Sequence, residues 1–234
     1  MADQQSLTGT DMHLVLSRTP KYVRDLLERN SGRAFLAGGY IRALIAGETP
    51  SDIDIFGPDQ ATLESWAKDI VVDSESHARL HYTQNAYTVL FDNGRKPLQF
   101  IYRWTYSDPG DLLSEFDFTI ACAAIWHDGV RWVSQCDPSF YPDLAARRLV
   151  YRAPMRSEDA GGSLMRVRKF LSRGYRIAPE SLGACVARLV MGARLDSNNL
   201  PLDEAWLAKI LTGLLREVDP LLIIDGIEPI DETN

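Results

Sequence analysis

Apolar and polar positions along the chain change period repeatedly, and each change marks an element. Residues 20–30 (PKYVRDLLERN) set Tyr22, Val23, Leu26 and Leu27 on one helical face, and Ser31-Gly32 ends the run. Residues 33–37 read as a short apolar strand and 39–46 as a helix opened by Gly38-Gly39. The alternation over 52–56 (DIDIF) predicts a second strand, and Pro58 starts an amphipathic helix through Asp69. The apolar runs 86–91 (AYTVLF) and 98–103 (LQFIYR) flank Asn93-Gly94, which predicts a β-hairpin. A short helix is expected over 112–115, then a strand over 118–126, a turn at His127-Asp128-Gly129 and a strand over 130–134. Residues 137–149 read as helical in their second half. Gly161-Gly162 reads as a flexible joint, and after it the pattern is wholly helical, over 163–174, 180–194 and 203–217. The tail from Asp225 is acidic and is expected to fray. These elements predict an α/β domain over residues 1–155, followed by a small helical domain over 156–234.

Most of the chemistry falls between Phe35 and Phe56, FLAGGYIRALIAGETPSDIDIF. Asp52 and Asp54 stand two apart on a strand, so both side chains leave the same face, with Cα atoms roughly 6.6 Å apart. That separation suits two divalent cations about 3.5–4 Å apart. Aspartate is rare in strands, so a pair within an apolar run calls for a reason. Gly38 and Gly39 let backbone approach a ligand closely, and N–H groups opening a helix bind phosphate. A phosphate cradle beside paired carboxylates is what metal-assisted nucleotidyl transfer requires, with Mg²⁺ or Mn²⁺ as the expected ion.

Other residues admit a functional and a structural use. Asp117, between Phe116 and Phe118, is expected to be buried and therefore to need a partner, whether a salt bridge, a backbone cap or a role in the site. Arg42 and Arg103 are candidates to grip phosphate with two hydrogen bonds each. Arg166, Lys169, Arg173 and Arg176 recur at spacings of three and four, which lines one helical face. His77 and His81 are four apart and on a helix would share a metal, but the glutamate of an HExxH motif is missing, so they read as surface histidines.

Composition narrows the class. The 234 residues are 45% hydrophobic and 24% charged, enough for one large or two small cores. No apolar run approaches the roughly 20 residues of a membrane span, and the N-terminus lacks a signal-peptide core. Three scattered cysteines suit neither a disulfide framework nor a zinc site, so a cytoplasmic protein with reduced thiols is expected. The net charge of −7 does not favour broad nucleic-acid binding, but residues 131–194 alone carry +7 and the remainder −14. A basic surface beside an acidic half fits RNA contact through 131–194, and arginines paired with local acids would account for it as well.

The segment with Gly38, Gly39, Arg42, Leu44, Gly47, Pro50, Asp52 and Asp54 resembles the DNA polymerase β-like nucleotidyltransferase superfamily. Within it, the poly(A) polymerase and tRNA CCA-adding branch is the nearest, and FDFTIACAAIWHDG at 116–129 resembles that branch's DFTINA segment. The phenylalanine before the aspartate, the cysteine and the aromatic-x-Asp-Gly turn look closer still to small phage and prophage nucleotidyltransferase-like proteins. The resemblance covers residues 33–153 well. It implies an α/β (α+β) nucleotidyltransferase-type mixed sheet with flanking helices, then a small helical domain. The implied activity is transfer of AMP or CMP from an NTP to an acceptor hydroxyl such as an RNA or tRNA 3′ end, with Asp52 and Asp54 holding the metals. It also implies nucleotide contacts from Gly38, Gly39, Arg42, Gln99, Arg103, Arg166 and Lys169.

Three positions depart from the family pattern. Gln99 stands where a third carboxylate is expected, Ala43 replaces an aspartate, and Ser114-Glu115 replace triphosphate-binding arginines. An amide accepts through its carbonyl but is no base. The site then uses two carboxylates only, or borrows Asp117, or belongs to a nucleotide- or RNA-binding module that has lost efficient catalysis.

Overall fold

The computed structural model describes residues 5–74, 77–154 and 160–195. The helix expected over 203–217 and the acidic tail lie outside the described residues. The chain divides into two compact units, Met1–Phe116 with Ile120–Leu144, and Asp117–Thr119 with Ala145–Asn234.

The first unit is built on a seven-stranded mixed sheet in the order β3-β4-β5-β2-β1-β6-β7. Its strands are β1 (Phe35–Ala37), β2 (Ile53–Phe56), β3 (Ala78–Tyr82), β4 (Ala86–Phe91), β5 (Leu98–Ile101), β6 (Ala123–His127) and β7 (Trp132–Cys136). Only β2 and β5 pair in parallel, which requires a long crossover, supplied by helix α4 (Gln60–Asp73) and the β3–β4 hairpin. Five further helices lie wholly or mainly in this unit: α1 (Gly9–Arg18), α2 (Lys21–Arg29), α3 (Gly39–Ile45), α5 (Pro109–Ser114) and α6 (Phe140–Ala145). Side chains of the short acidic and hydroxyl residues set the helix starts. The Asp59 carboxylate accepts from Thr62 N at 2.7 Å at α4, and Asp108 accepts from Gly110 N at 2.7 Å ahead of Pro109 at α5.

Alternation divides the sheet into two faces. Ile53 and Ile55 of β2, Leu98 and Phe100 of β5, and Leu36 and Ile125 are all buried on one face. The other face carries Phe35, Ala37, Phe56 and Ala124, and it packs against Leu112 and Leu113 of α5. Each fully buried Phe or Leu contributes about 2 kcal/mol over exposure, so this core holds β1 and β2 in fixed register. By the same alternation Asp54 stands on the α5 face, two residues before Phe56, and Asp52 lies just ahead of β2.

Two expectations are corrected in this unit. Residues 118–122 are not strand: Thr119–Ala121 form a 3₁₀ turn and β6 begins at Ala123, because Asp117–Thr119 belong to the second unit's core. His81 lies on strand β3 rather than a helix, so its four-residue spacing from His77 has no metal meaning. Helix α1, which the polar N-terminal sequence concealed, is capped by Thr8 accepting from Asp11 N.

In the second unit, helices α7 (Ala160–Ser172) and α8 (Pro179–Leu195) accompany a two-residue parallel pair, β8 (Arg148–Leu149) with β9 (Arg176–Ile177). The unit is thus not wholly helical past Gly162. Phe118 is fully buried there, with ring centroids 5.7 Å from Tyr151 and 6.2 Å from Phe170. Gly161 and Gly162 are no joint. Both are buried in the first turn of α7, where a missing side chain allows close packing.

Candidate functional site

The site begins where β1 turns into α3. Gly38 has φ +81°, a left-handed conformation, and a Cβ there would lie 3.0 Å from Phe116 Cε1. Glycine is therefore required twice over, by backbone and by packing. The Gly38 N–H donates to Ala123 O at 3.0 Å, which ties the turn to β6. Around Gly39 a Cβ would meet nothing within 4 Å, so this backbone faces open space that a ligand can approach. Helix α3 has only 7 residues, so its macrodipole is small and close approach is the main thing the glycines provide.

Arg42 is 3% exposed, so its guanidinium lies within the first unit. Its Nη1 donates to Glu48 Oε2 at 2.5 Å, with side chains 4% and 16% exposed. This ion pair spans the end of α3 and the loop that leads to Asp52. Sequence reasoning assigned Arg42 to nucleotide and overlooked Glu48; in the structure Arg42 braces the loop.

Asp52 ends that loop and Asp54 lies within β2, both half-buried. The Ser51 hydroxyl donates to Asp52 Oδ1 at 3.0 Å and so orients that carboxylate. Lys96 reaches across from the β4–β5 hairpin and donates to Pro50 O at 2.5 Å, securing the same loop. Gln99 is the direct partner of Asp54 in the parallel β2–β5 register. The structure thus brings Gly38, Gly39, Asp52, Asp54 and Gln99 into one unit, with Asp54 and Gln99 side by side on one sheet face. Two carboxylates with a neighbouring amide carbonyl form an all-oxygen donor set suited to Mg²⁺ or Mn²⁺. Among the described residues, no cluster of three or more His, Cys, Asp or Glu occurs that could hold a metal.

Arg103 follows β5 and is held in place, its Nη1 donating to Asn85 Oδ1 at 2.8 Å and its guanidinium 4.7 Å from the Trp104 ring. The remaining predicted residues belong to the second unit. Asp117 is 4% exposed, and Arg166 Nη1 donates to its Oδ2 at 2.6 Å. Lys169 lies half-exposed near the end of α7. Buried Cys185, with Asp117 as the lesser influence, has its thiol pushed up to about 12 by burial.

A family model matches residues 10–147, described as the Gabija anti-defense 2 family protein. The chain belongs to the Gabija anti-defense 2 family. The match takes in β1, the glycine turn, both aspartates, Gln99 and the whole seven-stranded sheet. No curated protein matches the chain. Among solved structures, the chain is similar to the Thermotoga maritima CCA-adding enzyme complexed with tRNA, at TM-score 0.58 and 18% identity over 97% of this chain and 54% of that one. It is similar to a CCA-adding enzyme in complex with CTP, at TM-score 0.58 and 19% identity over 97% of this chain and 53% of that one. A tRNA nucleotidyltransferase complexed with a primer tRNA and an incoming ATP analog gives TM-score 0.50 and 17% identity over 82% of this chain and 59% of that one. The chain spans about half the length of these structures. At such identities the likeness establishes the nucleotidyltransferase-type fold.

Proposed function

We propose that this family member is a metal-dependent nucleotidyltransferase. It moves AMP or CMP from an NTP to an acceptor hydroxyl, with an RNA or tRNA 3′ end as the leading acceptor class. The observation that carries the reading is the pairing of Asp54 with Gln99, with Asp52 two residues ahead of it, in the unit that holds the open backbone at Gly39. Asp52 and Asp54 would hold Mg²⁺ or Mn²⁺, which neutralises phosphate charge and lowers the pKa of an attacking hydroxyl. The acceptor oxygen forms a bond to the α-phosphorus, the α–β bridging bond breaks, pyrophosphate leaves, and the acceptor's proton passes to solvent. The protein's part is positioning: Ser51 orients Asp52, the Arg42–Glu48 pair braces the loop, and the Gly38 turn admits the phosphates. Arg103 and, in the second unit, Arg166 and Lys169 are the further nucleotide contacts of this reading, with Asp117 as positioning partner of Arg166. The tRNA and nucleotides in the names of the similar structures support this choice of substrates, and the positive balance of residues 131–194 supports RNA as a partner.

The family's name supports a setting of counter-defence against Gabija, and the sequence resemblance supports a phage or prophage source acting in the cytoplasm. Among the described residues no helix is long and apolar enough to cross a membrane. A second reading, a nucleotide- or RNA-binding module with weak or lost catalysis, is favoured by Gln99 in the third-carboxylate position and by the engagement of Asp117 with Arg166. The two readings separate when the protein is incubated with Mg²⁺ or Mn²⁺, each labelled NTP and total cellular RNA or lysate. Transfer of label supports the enzyme. NTP binding by calorimetry without any labelled product supports the module.

A further inference from the structure

The sheet has two edges, and the chain treats them differently. At β7, residues ahead of α1 cover the edge: Gln5 N donates to Cys136 O at 3.2 Å, Cys136 N donates to Gln5 O at 2.6 Å, and Leu7 N donates to Ser134 Oγ at 3.1 Å. At the other edge, β3 pairs only with β4 among the described residues. The register shows which backbone groups β3 leaves over. Asp92 N donates to His77 O at 3.1 Å and Thr83 N donates to Ala86 O at 3.0 Å, one at each end of the ladder. Bonded and non-bonded pairs alternate in an antiparallel ladder. Arg79↔Leu90 and His81↔Thr88 are therefore the bonded pairs between those ends, and Ala78, Leu80 and Tyr82 turn their N–H and C=O groups away from β4. The side chains of these three share the α4 side of the sheet. The Tyr82 and Tyr87 rings lie 5.4 Å apart between centroids, and Gln60 of α4 donates to the Tyr87 hydroxyl. Tyr82 is 56% exposed, and Val72, at the end of α4, is 76% exposed. Among the described residues of the first unit, Val130 is the only other large apolar side chain so exposed.

We propose that β3 pairs antiparallel with β3 of a second copy of this chain, about a two-fold axis at Leu80. The pairing is independent of the transferase reading. Antiparallel pairing needs each outward-turned residue to meet another outward-turned residue. Centred on Leu80, the strand ARLHY meets this condition with itself. Leu80 faces Leu80, and Ala78 faces Tyr82 of the second copy, so a small side chain lies opposite a large one. Arg79 falls opposite His81. A slip of two residues towards Ala78 would instead set Arg79 against Arg79, where like charges repel. Helix α4 packs on β3 and its end leads into Ala78, so Tyr82 of the second copy arrives on the side where Val72 is exposed. An exposed arginine and a short strand blunt an edge against chance pairing. That protection alone leaves Val72 and Tyr82 bare beside the edge, whereas the two-fold pairing gives Tyr82 an apolar neighbour. Such an isologous contact also closes on itself: it uses β3 of each copy, β7 is already covered, and association stops at a dimer.

The test is sedimentation velocity of the full chain over a concentration series. One strand pair makes a small interface, so a discrete dimer is expected to form on the order of tens of micromolar protein. Tyr82→Lys, at an exposed position, should raise the dissociation constant about tenfold, because the two-fold counts each change twice. Val130→Lys, on the β6–β7 turn, is the control and should leave it unchanged. The register is read by cross-linking with a short bismaleimide. Cys122, Cys136 and Cys185 are buried, so an introduced surface thiol is the one that reacts. Leu80→Cys should give a covalent dimer and Val130→Cys should not. A chain that stays monomeric throughout the series overturns the second copy as the occupant of this edge. Equal cross-linking at positions 80 and 130, or equal weakening by Val130→Lys, overturns the β3 edge as the contact.

Discussion

Two carboxylate settings in this molecule look alike in sequence and differ in structure. Asp52-Ile53-Asp54 and Phe116-Asp117-Phe118 both set aspartate among large apolar residues. At the first, the carboxylates are half-buried, and Asp52 is oriented by a small hydroxyl. At the second, the carboxylate is 4% exposed and takes a guanidinium of its own unit at 2.6 Å. The first setting places its carboxylates beside an amide, Gln99, in the unit of the glycine turn; the second sets its carboxylate against a guanidinium of its own unit. Burial of a carboxylate is therefore a poor sign of catalysis until its partner is known.

Removing each carboxylate sharpens this contrast. Asp117→Ala should destabilise the protein by about 2 kcal/mol, because it removes the buried end of the Asp117–Arg166 ion pair. The full cost of a buried pair is not expected, since the Arg166 side chain is 37% exposed. Asp54→Asn, a near-isosteric change at a half-buried position, should cost less, about 0.5–1 kcal/mol. Denaturant midpoints at constant m-value measure both, and equal losses would erase the distinction.

A smaller effect, about 1–2 kcal/mol, is expected for Gly38→Ala, which forces a Cβ at φ +81° against Phe116. Gly39→Ala, with open space around it, should cost a few tenths of a kcal/mol in stability and instead weaken nucleotide binding. Similar stability losses for both would mean that the two glycines share one structural role. Gln99→Glu places a third carboxylate beside Asp54 and should tighten Mn²⁺ binding about tenfold, or ~1.4 kcal/mol, by calorimetry. Unchanged affinity would show that Gln99 does not face the metal.

The thiols give the smallest effect at neutral pH. Burial pushes Cys136 up to about 11 and Cys185 up to about 12, from 9.0. With folded values above unfolded ones, their stabilisation is full below pH 9 and is lost as pH rises through about 11. Both should resist a disulfide reagent at pH 8 until denaturant is added, and stability should decline from pH 9 upward. Rapid labelling of the folded protein at pH 8 would contradict their burial.

Much of the first unit was legible in sequence because local signals agreed with the fold. The Gly38-Gly39 turn, the Asp52-Ile53-Asp54 alternation and the Asn93-Gly94 hairpin each need only neighbouring residues to specify them. What sequence hid was long-range. Strand β3 was hidden because His81 in its five residues, ARLHY, stands at a helical spacing from His77 just ahead of it, and its partner β4 decides the outcome. Arg42 looked like a phosphate ligand because its partner Glu48, six residues on, has no periodic signature. Residues 117–119 looked like the start of a strand, yet Phe118 is anchored by Tyr151 and Phe170, more than thirty positions away. Gly161-Gly162 carry the same letters as a joint, and only burial shows that they pack.

The most direct measurement of the central claim is pyrophosphate release from labelled ATP and CTP with Mg²⁺ or Mn²⁺ and cellular RNA, comparing wild type with Asp52→Ala/Asp54→Ala. Melting curves of both proteins establish that the variant is folded. Metal-dependent release by wild type, lost in the folded double variant, is the result expected. Equal release by the two proteins would contradict the assignment of Asp52 and Asp54 as the metal-holding pair.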